Sequence, residues 1–166
     1  METREYYPCR VLLNGKPRFL AWYTDEIDGF LRDAAGRLVV ADAVAALGVP
    51  LKESAPIEYD FDRIRSWCST PDTAAVDCSE LLNAWNFLDD LTGLRAGADL
   101  PFVRASREAS TVYDKLFWGN NLPAVTPPGE QYVPNWSVDE LLTIRSVFEA
   151  GLHVLEGELG DGVLEN

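Results

Sequence analysis

Three carboxylates alternate with apolar side chains in the segment Ile57-Glu58-Tyr59-Asp60-Phe61-Asp62. Successive side chains of a β-strand point to opposite faces, so a strand here would place Glu58, Asp60 and Asp62 on one face. Clustered carboxylates bind divalent cations, serve glycosidases, or pair with Lys and Arg side chains of another protein. The segment therefore predicts a carboxylate row that faces either water or a cation.

The other side chains with chemical potential are a histidine and a cysteine. His153 has Glu149 and Glu156 at the spacing of one helix face, where two carboxylates and an imidazole could hold a metal ion. No second histidine or cysteine pair completes a recognisable metal set, so we interpret this face as solvated. Cys78 lies at a predicted helix N-terminus, but neighbouring carboxylates oppose activation of its thiol. We expect neither a metal nor another cofactor.

Catalytic motifs are absent from the sequence. It contains no nucleophile elbow, no phosphate-binding loop and no dinucleotide-binding glycine motif. General acid–base and nucleophilic catalysis usually need a histidine, an activated cysteine or a carboxylate pair in a pocket, and few such groups are present. This inventory favours a non-enzymatic protein.

The charge of the chain bounds its partners. Acidic residues outnumber basic ones by 27 to 14, giving a net charge of −13. The excess comes from residues 53–99 and 137–166, which suggests an acidic side of the fold, although solvated helix faces would explain it equally well. A negative field repels nucleic acids and anionic membranes and attracts basic proteins. We therefore expect a basic protein partner, no nucleic acid and no membrane association.

A second group of acids breaks a local rule. Asp89 and Asp90 fall at the C-terminal end of a helix predicted over residues 78–91, where negative charge opposes the helix dipole at about 0.3–1 kcal/mol each. Such placements can mark function, although solvent screening could also make the cost trivial. The predicted partner-binding residues are Glu58, Asp60, Asp62, Asp89 and Asp90.

Strands are predicted first along the chain. Asn14-Gly15 between two apolar runs predicts a β-hairpin, and a second hairpin is predicted around residues 33–37. A short helix is predicted over residues 41–47. Asp62 is placed to cap a helix that begins at Arg63.

Helices are predicted later, over residues 78–91, 109–118 and 137–155. Asp77 and Glu80 resemble a capping box for the first of these, with Asp in place of Ser or Thr. Ser137 and Glu140 form a capping box for the last one, which carries an apolar stripe. Four prolines between residues 123 and 134 predict an extended surface segment. The aromatic residues near the end of the middle helix could form core or anchor an interface; they are Tyr113, Phe117 and Trp118.

This order of elements predicts an α+β fold in one domain, with N-terminal antiparallel hairpins forming a sheet packed against C-terminal helices. We expect the domain to span residues 1–156 and a flexible acidic tail to span residues 157–166. Three cysteines without paired spacing, and no apolar export signal, predict a cytoplasmic protein with reduced thiols.

In its size, acidity and lack of catalytic motifs, the chain resembles bacterial immunity proteins. The resemblance implies an inhibitor that neutralises a basic partner such as a nuclease toxin by covering its phosphate-binding site with carboxylates. Two alternatives stay open. One is a small-ligand or metal-binding enzyme that uses the row Glu58, Asp60 and Asp62, and the other is a subunit of a larger assembly.

Overall fold

The computed structural model describes residues 4–93 and 100–160 and begins with a β-hairpin set by its turn residues. β1 (Tyr6–Leu13) and β2 (Lys16–Tyr23) pair antiparallel around Asn14-Gly15. Asn14 and Gly15 have φ values of 56° and 70°, as a two-residue hairpin turn with both central residues left-handed requires. The prediction of this hairpin is confirmed.

Two further strands complete a four-stranded sheet of order β3-β2-β1-β4. β3 (Gly29–Phe30) pairs antiparallel with β2, whereas β4 (Ile57–Asp60) pairs parallel with β1. A parallel neighbour requires a long crossover, and residues 14–56 supply it. The α+β class is confirmed, but the sheet is mixed rather than wholly antiparallel.

The second predicted hairpin is present in reduced form. Its arms meet in a single bridge between Arg32 and Leu38, and Ala41 exchanges two backbone hydrogen bonds with Phe19. Because Ala41 is thereby held at the sheet, the helix predicted over residues 41–47 is only a 3-10 helix, Val44–Leu47.

Five α-helices follow the sheet, and each begins where the sequence supplies a start signal or where packing imposes one. Asp77 accepts a hydrogen bond from the Glu80 N–H, and Ser137 and Glu140 form the predicted capping box. One helix was not predicted, and it begins with Pro101 at its first turn. None of the helices in the described residues combines the length and hydropathy needed to span a membrane. The helices are α1 (Phe61–Ser69), α2 (Cys78–Thr92), α3 (Pro101–Glu108), α4 (Ser110–Gly119) and α5 (Val138–Leu159).

The main core lies between one face of the sheet and the helices. Phe87 of α2 has its ring centroid 4.8 Å from that of Phe30, 4.6 Å from that of Tyr59 and 5.1 Å from that of Phe61. α2 therefore crosses the sheet from β4 towards β3. α5 packs beside it, and Gly151 lets the two helices approach closely, since a Cβ there would lie 2.4 Å from a methyl carbon of Leu88.

Two arginines, Arg18 of β2 and Arg32 just after β3, bind the C-terminal ends of α2 and α5. Arg32 donates to the Leu91 carbonyl at 3.1 Å and makes a bidentate pair with Glu158 at 3.1 and 3.4 Å. The side chains of this pair are only 16% and 12% exposed. Arg18, 4% exposed, donates to the Leu159 carbonyl at 3.3 Å. Positive charge here offsets the helix dipoles, so acids at these ends are less unfavourable than the sequence indicates.

The tail predicted from residue 157 is helical over its first residues. α5 continues through Leu159 and ends at Gly160, so the first three residues of the predicted tail are helical. Residues 161–166 of that tail lie outside the described residues.

Candidate functional site

The predicted carboxylate row is interrupted at the end of β4. Glu58 and Asp60 belong to the strand, but the chain enters α1 at Phe61, so Asp62 lies in the first helical turn. Asp60 caps α1 by accepting the Arg63 N–H at 2.9 Å, a role that the sequence assigned to Asp62. The helix starts early because the Asp60 carboxylate supplies its N-cap, and Phe61, its first residue, is fully buried. The predictions of a three-carboxylate strand face and of the Asp62 cap are therefore wrong.

Asp62 instead holds the first hairpin turn. Its two carboxylate oxygens accept the N–H groups of Asn14 at 2.6 Å and Gly15 at 2.8 Å. These charge-assisted bonds stabilise a turn in which both residues are left-handed. The structure thus separates Asp62 from Glu58 and Asp60, and the metal enzyme considered from the sequence loses the third carboxylate of its row.

Glu58 and Asp60 line a cavity of about 240 Å³ together with Asp77 and Glu80. We call this cavity the acidic pocket; Tyr59, Asn83 and several apolar groups complete its wall, and no Lys or Arg lines it. Asp60 and Asp77 are the N-caps of α1 and α2, so two helix starts converge here. The sequence identified Asp77 and Glu80 only as helix-start signals, because their meeting with β4 depends on tertiary packing.

The carboxylates of the acidic pocket repel one another. Burial raises the pKa of Glu80, and the negative charges of Asp77 and Asp60 raise it further, while Arg63 opposes the rise. The two basic side chains at the rim pair weakly: Arg63 lies 3.4 Å from Glu80, and Arg10 lies 3.7 Å from Glu58. Exposed pairs of this kind contribute little free energy. A cation entering the pocket would relieve the repulsion among these groups.

Asp89 and Asp90 form a separate acidic site near the other end of α2. The rise of an α-helix places them about 15 Å from Glu80 along the axis. Asp90 accepts the indole N–H of Trp22 at 3.0 Å, which lowers the pKa that burial raises. Asp89 keeps an exposed edge, yet burial of its carboxyl and the charge of Asp90 raise its pKa from 3.8 to about 6. The structure does not bring this pair into the acidic pocket.

The histidine face is occupied by ion pairs. His153 is exposed, Glu156 pairs with Arg65, and Glu149 lies 3.7 Å from Arg145. Among residues 4–93 and 100–160, no three His, Cys, Asp or Glu side chains are placed to hold a metal ion.

The half-buried thiol of Cys78 lies at the N-terminus of α2, as the sequence predicts. Burial and the charge of Asp77 raise its pKa. This environment disfavours the thiolate that a nucleophilic cysteine needs.

A larger cavity of about 660 Å³ adjoins the acidic pocket and was not predicted. It lies between residues 73–79, the end of α4 at residues 119–121, and residues 131–136; we call it the α2–α4 groove. Asp77 and Ser79 line both cavities. The nearest sequence signal was the end of the helix predicted over residues 109–118.

The groove and the pocket together suit the recognition of a cationic, partly apolar surface better than proton transfer. The acidic pocket offers four carboxylates around one cavity, and the groove offers apolar and backbone groups beside it. No protein-family model, curated protein or solved structure matches this chain.

Proposed function

We propose that this protein binds a basic protein partner without catalysing a reaction, and that the acidic pocket receives a Lys or Arg side chain of that partner. One observation carries the proposal. Glu58, Asp60, Asp77 and Glu80 surround a single cavity of about 240 Å³ whose wall contains no basic side chain. A guanidinium or ammonium group placed there would donate hydrogen bonds to more than one of these carboxylates, at about 1.5–3 kcal/mol each.

The charge of the whole chain supports the same partner class. A net charge of −13 steers a basic protein towards this one and raises its association rate at low salt. Asp89 and Asp90 form a separate acidic site about 15 Å further along α2, where a second basic group of the partner would bind. Asp62 contributes to this surface only by its charge, since both of its oxygens bond the β1–β2 turn.

An inhibitor of a basic toxin is the specific form of the proposal. A nuclease presents Lys and Arg where it binds phosphates, and carboxylates that occupy those side chains block its substrate. This is the mode of action implied by the resemblance to bacterial immunity proteins. The proposal places the protein in a bacterial cytoplasm, where its three free cysteines would stay reduced.

The test compares two double variants with the same change in net charge. Asp60→Asn with Glu80→Gln alters the acidic pocket and keeps a residue that caps α1 well. Asp42→Asn with Glu53→Gln alters two exposed acids outside the pocket. A basic protein recovered at low salt from the source organism is purified, and its association with each variant is measured over a range of ionic strength.

The pocket variant should bind at least about 10-fold more weakly than the wild type, a loss of about 1.4 kcal/mol. The control should change the association rate only slightly, through the net charge. Equal affinities for the two double variants would refute the role of the pocket. As an inhibitor, this protein should also abolish the activity of the recovered partner at an equimolar ratio.

A further inference from the structure

The α2–α4 groove has a floor built by close contacts. A Cβ on Gly119 would lie 2.5 Å from the Cys78 sulfur and 3.1 Å from a ring carbon of Pro134, so only glycine lets these groups approach. The Asn121 side chain fixes the opposite wall, since it accepts the Tyr132 N–H at 2.6 Å and donates to the Tyr132 carbonyl at 2.9 Å. The walls are thus held in place without a ligand.

The rim of the groove offers exposed apolar side chains and backbone groups that are open to hydrogen bonding. Tyr132 is 45% and Val133 70% exposed. Pro134 restricts Val133 to an extended backbone, in which successive residues point their N–H and C=O groups to opposite sides. The backbone N–H and C=O of Tyr132 bond to Asn121. The backbone N–H and C=O of Val133 have no hydrogen-bond partner within the described part of the chain. An extended segment laid beside Val133 would satisfy these two groups.

The charge around the groove selects a basic occupant. Asp77 stands in the wall that the groove shares with the acidic pocket. Lys115, whose ammonium lies 4.9 Å from the ring centroid of Trp136, is neutralised because it also lies 3.0 Å from both carboxylate oxygens of Glu140. A second copy of this chain would bring another net charge of −13 to the same surface, which opposes self-association.

We propose that the groove docks an extended segment of the basic partner that carries an apolar residue close in sequence to a Lys or Arg. The segment hydrogen-bonds to the Val133 backbone and packs its apolar side chain on Tyr132 and Trp136. It reaches past Asp77 to place its cation in the acidic pocket. Backbone pairing supplies affinity in this mode of recognition, and the side-chain pockets supply specificity. This inference rests on the proposed function, since one partner supplies both groups.

The test uses a phage-displayed library of random dodecapeptides selected at low salt on the full chain. Enriched peptides are synthesised with a fluorescent label, and their affinities are measured by anisotropy. The variants are Val133→Glu in the groove, D60N/E80Q in the acidic pocket, and Val138→Glu as a control. Val138 is as exposed as Val133 but does not line the groove. Far-UV circular dichroism checks that every variant is folded.

We expect enriched peptides to combine a basic residue with an apolar one, and V133E and D60N/E80Q each to weaken binding by about 10-fold or more. V138E should change affinity less than about 2-fold, because Val138 lies outside the groove. If V133E binds the peptides normally and D60N/E80Q does not, the docking role of the groove is refuted and the proposed function stands. Apolar peptides insensitive to D60N/E80Q would overturn both. If selection on the wild type enriches peptides no more than selection on V133E does, the docking of an extended segment in the groove is refuted.

Discussion

Two glycines of α5 allow the packing of this helix to be measured against an internal control. Gly151 lies where α5 meets α2 and α3, and a Cβ there would lie 2.4 Å from Leu88 Cδ1 and 3.2 Å from Phe102 Cδ2. Both neighbouring side chains are fully buried, so neither has space to move aside. Gly157 lies in the same helix and is exposed, with no atom within 4 Å of its added Cβ.

The substitutions Gly151→Ala and Gly157→Ala differ in one main contribution to the free energy of unfolding. Alanine gains up to about 1 kcal/mol over glycine in a helix, and both variants receive most of this gain. Only G151A also overpacks the core, at about 1–3 kcal/mol. G157A should therefore be about 0.5–1 kcal/mol more stable than the wild type. G151A should be about 1–3 kcal/mol less stable than G157A.

Urea denaturation followed by circular dichroism gives both free energies of unfolding. The dependence on urea should keep the same slope in the wild type and the two variants, so that shifts of the midpoint report stability alone. A G151A protein as stable as G157A would refute the close approach of α5 to α2 and α3 at this glycine. The packing of α2 against α5 in the core would then need revision.

Three further results are expected. Arg32→Met should lower the free energy of unfolding by about 2–3 kcal/mol, because it removes a cation from the largely buried carboxylate of Glu158, whereas Arg37→Ala, at an exposed pair, should cost under about 0.5 kcal/mol. Equal urea midpoints for the two variants would contradict this. Since the folded pKa of Asp89 is about 6 and its ordinary value is 3.8, its stabilising contribution is present below about pH 4 and is lost as the pH rises through 6. The stability of Asp89→Asn relative to the wild type should accordingly increase from pH 4 to pH 7, and a difference independent of pH would refute the shift. Iodoacetamide should modify Cys78 before Cys9 in the native protein, because burial raises the pKa of Cys9 to about 12. Mass spectrometry of the labelled peptides gives the order of modification. Modification of Cys9 first would contradict this prediction.

Local signals in the sequence predicted the elements that local interactions determine. The Asn14-Gly15 hairpin needs only its turn residues and two apolar runs. The last helix carries both its capping box and its apolar stripe within its own residues. The Asp77 cap likewise requires only the N–H of Glu80, three residues further on. Each of these predictions could be made from residues close together in the chain.

Non-local packing decided the features that were missed. α3 has no side-chain N-cap, and its one fully buried residue, Phe102, packs against α5. The alternation from Ile57 to Asp62 fits a strand throughout, but the strand ends at Asp60, and Asp62 binds the distant β1–β2 turn. The acidic pocket depends on how α1 and α2 meet, which no periodicity reports.

The bonds of Arg18 and Arg32 to the end of α5 affect when this protein can fold during translation. Arg18 and Arg32 leave the ribosome 141 and 126 residues before Leu159 and Glu158, to which they bond. Until α5 emerges, these two guanidinium groups cannot be buried with their acceptors. The domain therefore completes its folding only after translation of α5, and chains released before residue 158 should be substrates for proteolysis rather than partly active proteins.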